Sequence, residues 1–230
     1  MQDHSLRTVG SVCAILVGVM GALASIVYLL LPPEQRLGVP AAQILPSYAK
    51  DGTMLNVEFL LLTLVGVFGL GAVPAITRFA NTTAAGWTVW AGNLALVGFA
   101  IQAVSNFFTF TRMPGIATAF VAGADATKAA LVPIWRSSLD LDGLWGFGAV
   151  GLWVIVISLL ALRAKSWSPV VSYLGFGAGV FYLLFVVGFV FKQPVLFLVA
   201  SVAGTVAATI WYIWIGLTLR REPAAAPGAK

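Results

Sequence analysis

The chain has 230 residues, 60% of them hydrophobic and 9% charged, with a net charge of +5 and a mean hydropathy of +0.97. A soluble domain carries charge on about a quarter of its residues, so this composition excludes one and marks a polytopic membrane protein. One histidine, one cysteine and no basic run longer than Arg220-Arg221 argue against His-ligated haem, zinc hydrolase sites, an internal disulfide and nucleic acid as a partner.

Six apolar blocks are long enough to cross about 30 Å of hydrocarbon as helices. The first is expected near 9–31 and contains Cys13. Its Ala22-Leu-Ala24-Ser25 faintly resembles a signal cleavage site. The apolar run is about twice the usual signal core, so it reads as an uncleaved span. Pro32, Pro33, Pro40 and Pro46 follow and forbid one continuous helix across 32–54. The second span, near 55–78, opens with Asn56 and Glu58 and holds Pro74 near its far end, where a kink is cheap. The third, near 87–110, places Gln102, Asn106 and Thr109 on one face by their four- and three-residue spacing.

Arg112 opens a second long connection, 112–142. Within it Ile116-Ala-Thr-Ala-Phe120 and Ala129-Ala-Leu-Val-Pro-Ile-Trp135 read as short helical pieces lying on the membrane surface. Asp140 and Asp142 precede the fourth span, near 143–163, as acids favoured at a helix start. This span begins Gly143-Leu-Trp-Gly-Phe-Gly-Ala-Val-Gly151, a packing surface rather than a dinucleotide fingerprint, because no strand precedes it. The fifth and sixth spans, near 169–191 and 194–219, are joined by a tight turn holding Lys192 and Gln193. Residues 222–230 read as a disordered tail after a single domain over 1–221. Small residues four apart, as in Ala14, Gly18 and Ala22, Gly175 and Gly179, or Ala200, Gly204 and Ala208, are expected to pack helix on helix.

Six spans put both termini on one side, and the cytoplasm is expected there. Seven basic residues then lie inside and six outside, but the inner loops are shorter and their charges flank the helices directly. Trp87, Trp90, Trp167, Tyr212 and Trp214 are expected in the inner headgroup zone, and Tyr28, Tyr48 and Trp135 in the outer one. Trp153, in mid-span, is expected to pack against neighbours.

The polar residues gather towards the expected outer side. Glu58, Gln102, Asn106, Arg112, Asp140, Asp142 and Lys192 form a candidate polar pocket open to that side. Two readings compete. Arg112, Asp140, Asp142 and Lys192 stand at span ends, where charges reach headgroups at small cost. Glu58 and Gln102 are deeper; an acid such as Glu58 at a helix centre costs about 2.5–3.5 kcal/mol on insertion scales, less towards the interface. Glu58 serves either as part of a site or as a clamp paired with Arg112. No Ser–His pair, metal cluster or intramembrane carboxylate pair is visible, so the reading leans away from an enzyme and calls for no cofactor. No mid-span lysine exists for a retinal Schiff base.

The layout also resembles a known family. Ser5-Leu-Arg-Thr-Val-Gly10 leads into a glycine-bearing helix, and Asp125-Ala-Thr-Lys-Ala-Ala130 lies before the fourth span. Leu159-Leu-Ala-Leu-Arg163, Trp167-Ser-Pro169, Tyr173-Leu-Gly-Phe-Gly-Ala-Gly179 and Trp211-Tyr-Ile-Trp-Ile-Gly216-Leu-Thr-Leu-Arg220 complete the pattern. Over most of 5–221 this is similar to the DUF4386 family of bacterial six-span membrane proteins. The resemblance implies a six-helix bundle in a bacterial inner membrane, with no established activity and no catalytic residues.

The sequence thus points to an all-α, polytopic transmembrane bundle of six helices with both termini cytoplasmic. Its expected role is a non-enzymatic accessory or binding protein; the alternative is a small permease or exporter. Its expected partners are the lipid bilayer, a membrane protein or second copy of the chain, and an amphipathic small molecule.

Overall fold

A computed structural model describes residues 2–36, 38–80, 84–135, 140 and 143–220. The regular structure of the described residues is all helical. α1 (Gln2–Leu30) ends near a 3-10 turn, Pro33–Gln35. α2 (Ala41–Lys50) is short, α3 (Thr53–Phe79) and α4 (Ala85–Ala122) are long, and α5 (Asp125–Trp135) is short. A π-helical turn, Leu144–Ala149, runs into α6 (Val150–Ala164). α7 (Pro169–Val190) and α8 (Pro194–Arg220) complete the chain. Six of these helices, the fourth joined to its π turn, are long and apolar enough to cross a membrane, as the hydropathy blocks predict.

The spanning helices form a closed ring in chain order. α1 packs on α3, α3 on α4, α4 on α6 and its π turn, α6 on α7, α7 on α8, and α8 returns to α1. α3 and α7 therefore face each other across the ring. One end of the ring carries the start of α1 and the end of α8, and is called the terminal end here. The other is the cap end.

In a bilayer nothing drives these helices together except fit, so the contacts need small residues. Gly179 of α7 lies against Gly151 of α6 so closely that a Cβ there would stand 2.5 Å from the Gly151 carbonyl oxygen. Gly66 of α3 meets the Ala103 backbone of α4 in the same way, 2.6 Å from its nitrogen.

The terminal half is solid. Trp153 of α6 is fully buried, as its mid-span position predicts. It meets Phe99 and Trp211 edge to face at 6.5 and 6.0 Å, and its indole N–H donates to Thr77 Oγ1 at 3.1 Å. Trp211 in turn meets Trp167 and Tyr212. This aromatic plug corrects one expectation. Trp167 and Tyr212 are buried in the bundle rather than placed among headgroups, whereas Trp87, Trp90 and Trp214 are exposed. Trp167 can sit inside because its N–H donates to the Phe79 carbonyl at 3.3 Å. Ser11 ties α1 to α8 by donating to the Gly216 carbonyl at 2.7 Å.

The cap end is built differently from expectation. α4 does not stop near 110. It continues through Pro114 to Ala122, so its 38 residues span about 57 Å at 1.5 Å each. Ile116–Phe120 is thus part of α4 and not a separate surface piece. Proline costs the helix one hydrogen bond, but Met113 and Ala117 on either side are fully buried and keep the segment helical. What buries them is α2. Its Ala41, Ile44, Leu45 and Tyr48 recur at helical spacing and pack with Leu31, Leu55, Met113, Ala117 and Phe120 in a second, smaller core. Tyr48 donates to Asn56 Oδ1 at 2.7 Å, and burial raises its hydroxyl pKa. The Thr53 N–H donates to the Asp51 carboxylate at 3.0 Å and holds that acid below the ordinary aspartate value.

Candidate functional site

The interior faces of the helices can be followed from plug to cap. On α3, Glu58 lies two, four and five turns from Val65, Ala72 and Ile76, all buried in the main core. Glu58 therefore points into the ring, near its cap end, where it is partly exposed. On α4, Phe99, Gln102, Asn106, Thr109 and Met113 form one stripe, with Phe99, Gln102 and Met113 buried and Asn106 and Thr109 partly exposed. On α8, buried Tyr212 and Ala208 give way on the same face to partly exposed Thr205 and Ser201. On α7, buried Ala178 gives way to partly exposed Tyr182, Phe185 and Phe189. On α1, Gly21 lies two turns from fully buried Ala14, and a Cβ built on it would meet nothing within 4 Å. The same trend on five helices leaves partly exposed side chains on the inward faces of the cap-end half, above the aromatic plug.

The sequence-predicted residues divide around that half. Gln102 packs its Cβ and Cγ against Gly146 of the π turn, 3.4 and 3.5 Å from where a Cβ would be. Asn106 donates from Nδ2 to the Gln102 carbonyl at 2.8 Å. Asp140 stands beside them. Its Oδ1 accepts from the Trp145 N–H at 2.9 Å and its Oδ2 from the Gly146 N–H at 2.6 Å. Those are unsatisfied donors of the first turn after left-handed Gly143, so Asp140 is a cap for the fourth span. Glu58 faces the same interior from α3 and makes no hydrogen bond or ion pair among the described residues.

The two cations do not join. Arg112 is exposed and lays its guanidinium 4.7 Å from the ring centre of Phe108, one turn back on its own helix. The clamp between Glu58 and Arg112 does not form: α4 continues as a helix past 110, and its phase there carries Arg112 off the face shared by Gln102 and Asn106. Lys192 is exposed at φ +53° in the turn that closes α7, where its N–H donates to the Phe189 carbonyl. Asp142 lies outside the described residues.

Sequence reasoning missed the aromatic wall. Phe147 of the π turn meets Tyr182 and Phe185 at 5.5 and 4.5 Å, Phe185 meets Phe197 of α8 at 4.8 Å, and Phe197 meets Phe189 at 6.0 Å. The spacing of Tyr182, Phe185 and Phe189 was a visible signal, but the same stripe serves equally for ordinary packing. Among the described residues no three His, Cys, Asp or Glu side chains group to hold a metal. A separate open groove of about 600 Å³ runs along the outside of α7 and α8. Its lining, including Leu174, Leu198, Val202, Val206 and Ile210, is apolar and suits lipid chains.

An all-helical bundle of six apolar spans, packed through glycines and closed at one end by tryptophan, is an integral membrane protein in contact with the lipid bilayer. Within that class the chain belongs to the DUF4386 family, a domain of unknown function, whose match covers residues 12–216. No curated protein and no solved structure matches it.

Proposed function

We propose that this chain is a non-enzymatic binding protein of a bacterial inner membrane, with both termini cytoplasmic and a vestibule open to the extracytoplasmic side for an amphipathic small molecule. The observation that carries this reading is Glu58. A partly exposed carboxylate with no partner among the described residues, turned into the ring of a membrane bundle, is costly unless something fills the space beside it. Gln102 and Asn106 add amides at the same end, and the aromatic wall adds apolar surface, the usual mixture of a small-molecule site. The alternative, a small permease or exporter, needs a path past Trp153, Trp211 and Tyr212, all buried in the plug.

Thiol labelling tests the reading. In a Cys13→Ser background, an Asn106→Cys variant is exposed to a membrane-impermeant thiol reagent in right-side-out and in inverted vesicles. Labelling from the extracytoplasmic side only is expected. Labelling from both sides would shift the assignment to the permease, and protection from both would remove the vestibule.

A further inference from the structure

We propose that the occupant of the vestibule is an amphipathic organic cation, with its charge at Glu58 and its apolar body against the aromatic wall of α7, α8 and the π turn. The inference rests on the binding reading above and gives it a ligand class.

Three observations point the same way. The first is charge. Glu58 faces the interior, and the cations expected beside it are elsewhere: Arg112 lies on Phe108 and Lys192 in the exposed turn after α7. Arg36, another arginine near this end, donates from Nε and Nη2 to the carbonyls of Leu31 and Leu29. Asp140, another acid at this end, is engaged in capping. An anionic ligand would meet a carboxylate here that no described cation pairs with, whereas a cationic one gains an attraction strengthened by the low dielectric.

The second is chemistry. Phe147, Tyr182, Phe185, Phe189 and Phe197 form one continuous aromatic surface. Ring faces carry negative quadrupole potential, so they attract a diffuse organic cation as well as burying its apolar surface. The third is placement. α3 and α7 oppose each other across the ring, and Glu58 and Phe185 both lie within two turns of the cap end of their helices. A single molecule across the vestibule meets the acid on one side and the rings on the other. Ser201 and Thr205 lie on the α8 face shared by buried Ala208 and Tyr212, and Ser201 Oγ, which donates to the Phe197 carbonyl at 2.6 Å, keeps its lone pairs for a polar headgroup.

Tetraphenylphosphonium and tetraphenylborate are a matched pair for the test, nearly equal in shape and opposite in charge. Binding of each to the full chain in detergent micelles is measured by equilibrium dialysis, with protein-free micelles subtracted. Saturable binding of the phosphonium is expected, weakened at least tenfold in Glu58→Gln and about three- to tenfold in Phe185→Ala, and retained in Glu58→Asp. Tetraphenylborate is expected neither to saturate nor to compete. Should Glu58→Gln not fold, the comparison of the two ions on the native chain decides alone. Equal saturable binding of both ions, absence of saturable phosphonium binding, or unchanged affinity in a folded Glu58→Gln chain each overturns the proposal. The Asn106→Cys variant separates the two levels. If it is labelled from outside and the phosphonium does not protect it, the vestibule stands and its cationic occupant does not.

Discussion

Gly179→Ala adds one methyl group where the backbones of α6 and α7 approach closely, and the structure sets what it must do. The new carbon would sit 2.5 Å from the Gly151 carbonyl oxygen, 2.7 Å from Ile155 Cγ1 and 3.0 Å from the Ile155 nitrogen. An ordinary carbon–oxygen contact lies at about 3.3–3.6 Å, so the helices must part by roughly 1 Å. Two of the three obstacles are backbone atoms and cannot swing aside. Overpacking of this kind costs about 1–3 kcal/mol, and the cost is borne by an interface with no hydrophobic drive to restore it. Gly177→Ala is the internal control: on the same helix, a Cβ there meets nothing within 4 Å. Helix propensity alone then favours alanine by up to about 1 kcal/mol. Unfolding of both variants in mixed micelles by increasing SDS, read by tryptophan fluorescence, gives the comparison. Gly179→Ala should unfold at lower SDS than the native chain, and Gly177→Ala at the same or higher. If the two variants behave alike, the close approach of α6 and α7 is not what holds this side of the ring.

Other expectations follow from single contacts. Asp140→Ala removes the acceptor for two N–H groups of the π turn and should cost about 0.5–2 kcal/mol in the same assay, with Asp140→Asn closer to native; equal stability of all three chains refutes the capping role. Tyr212→Phe should leave the melting temperature unchanged or raise it, because the buried hydroxyl has no partner among the described residues, and a clear loss would show that one exists. Asp51 has its pKa lowered by the Thr53 N–H, so its contribution is complete above the unfolded aspartate value of about 3.9 and fades as pH falls through the lower folded value. The stability advantage of the native chain over Asp51→Asn should therefore shrink on acidification below pH ~4, and an advantage that grows there contradicts the assignment.

Hydropathy made six helices legible because a bilayer demands about 20 apolar residues per crossing, and that demand leaves a plain mark. Trp153 as a packing residue was equally legible, since nothing at mid-membrane can hydrate an indole. Trp167 and Tyr212 were misread because sequence depth alone cannot say which way an aromatic ring turns, and the Phe79 carbonyl that receives the Trp167 N–H is far away in the chain. α4 was cut short for a related reason. Arg112 and Pro114 are local stop signals, but Met113 and Ala117 find burial under α2, and tertiary contact outweighs the local preference. In the polar constellation, depth picks out Glu58 and Gln102, and helical phase turns both towards the buried side of their helices. Phase also separates Arg112 from them, which counting residues from a span end does not.

The order of the ring bears on how the protein is made. Each spanning helix after the first packs against the span synthesised just before it, so the spans can settle one after another as hairpins without waiting for distant partners. α1 is different. The side that receives α8, with Ser11 and Gly18, has nothing to lie against until the final span is inserted. Until then the bundle is a horseshoe with a seam open to lipid, and its hydroxyl at Ser11 is unsatisfied by Gly216. Assembly therefore has a single late, long-range step, and lesions along the α1–α8 seam should trap a nearly finished intermediate, whereas lesions between earlier helices should stop the chain sooner.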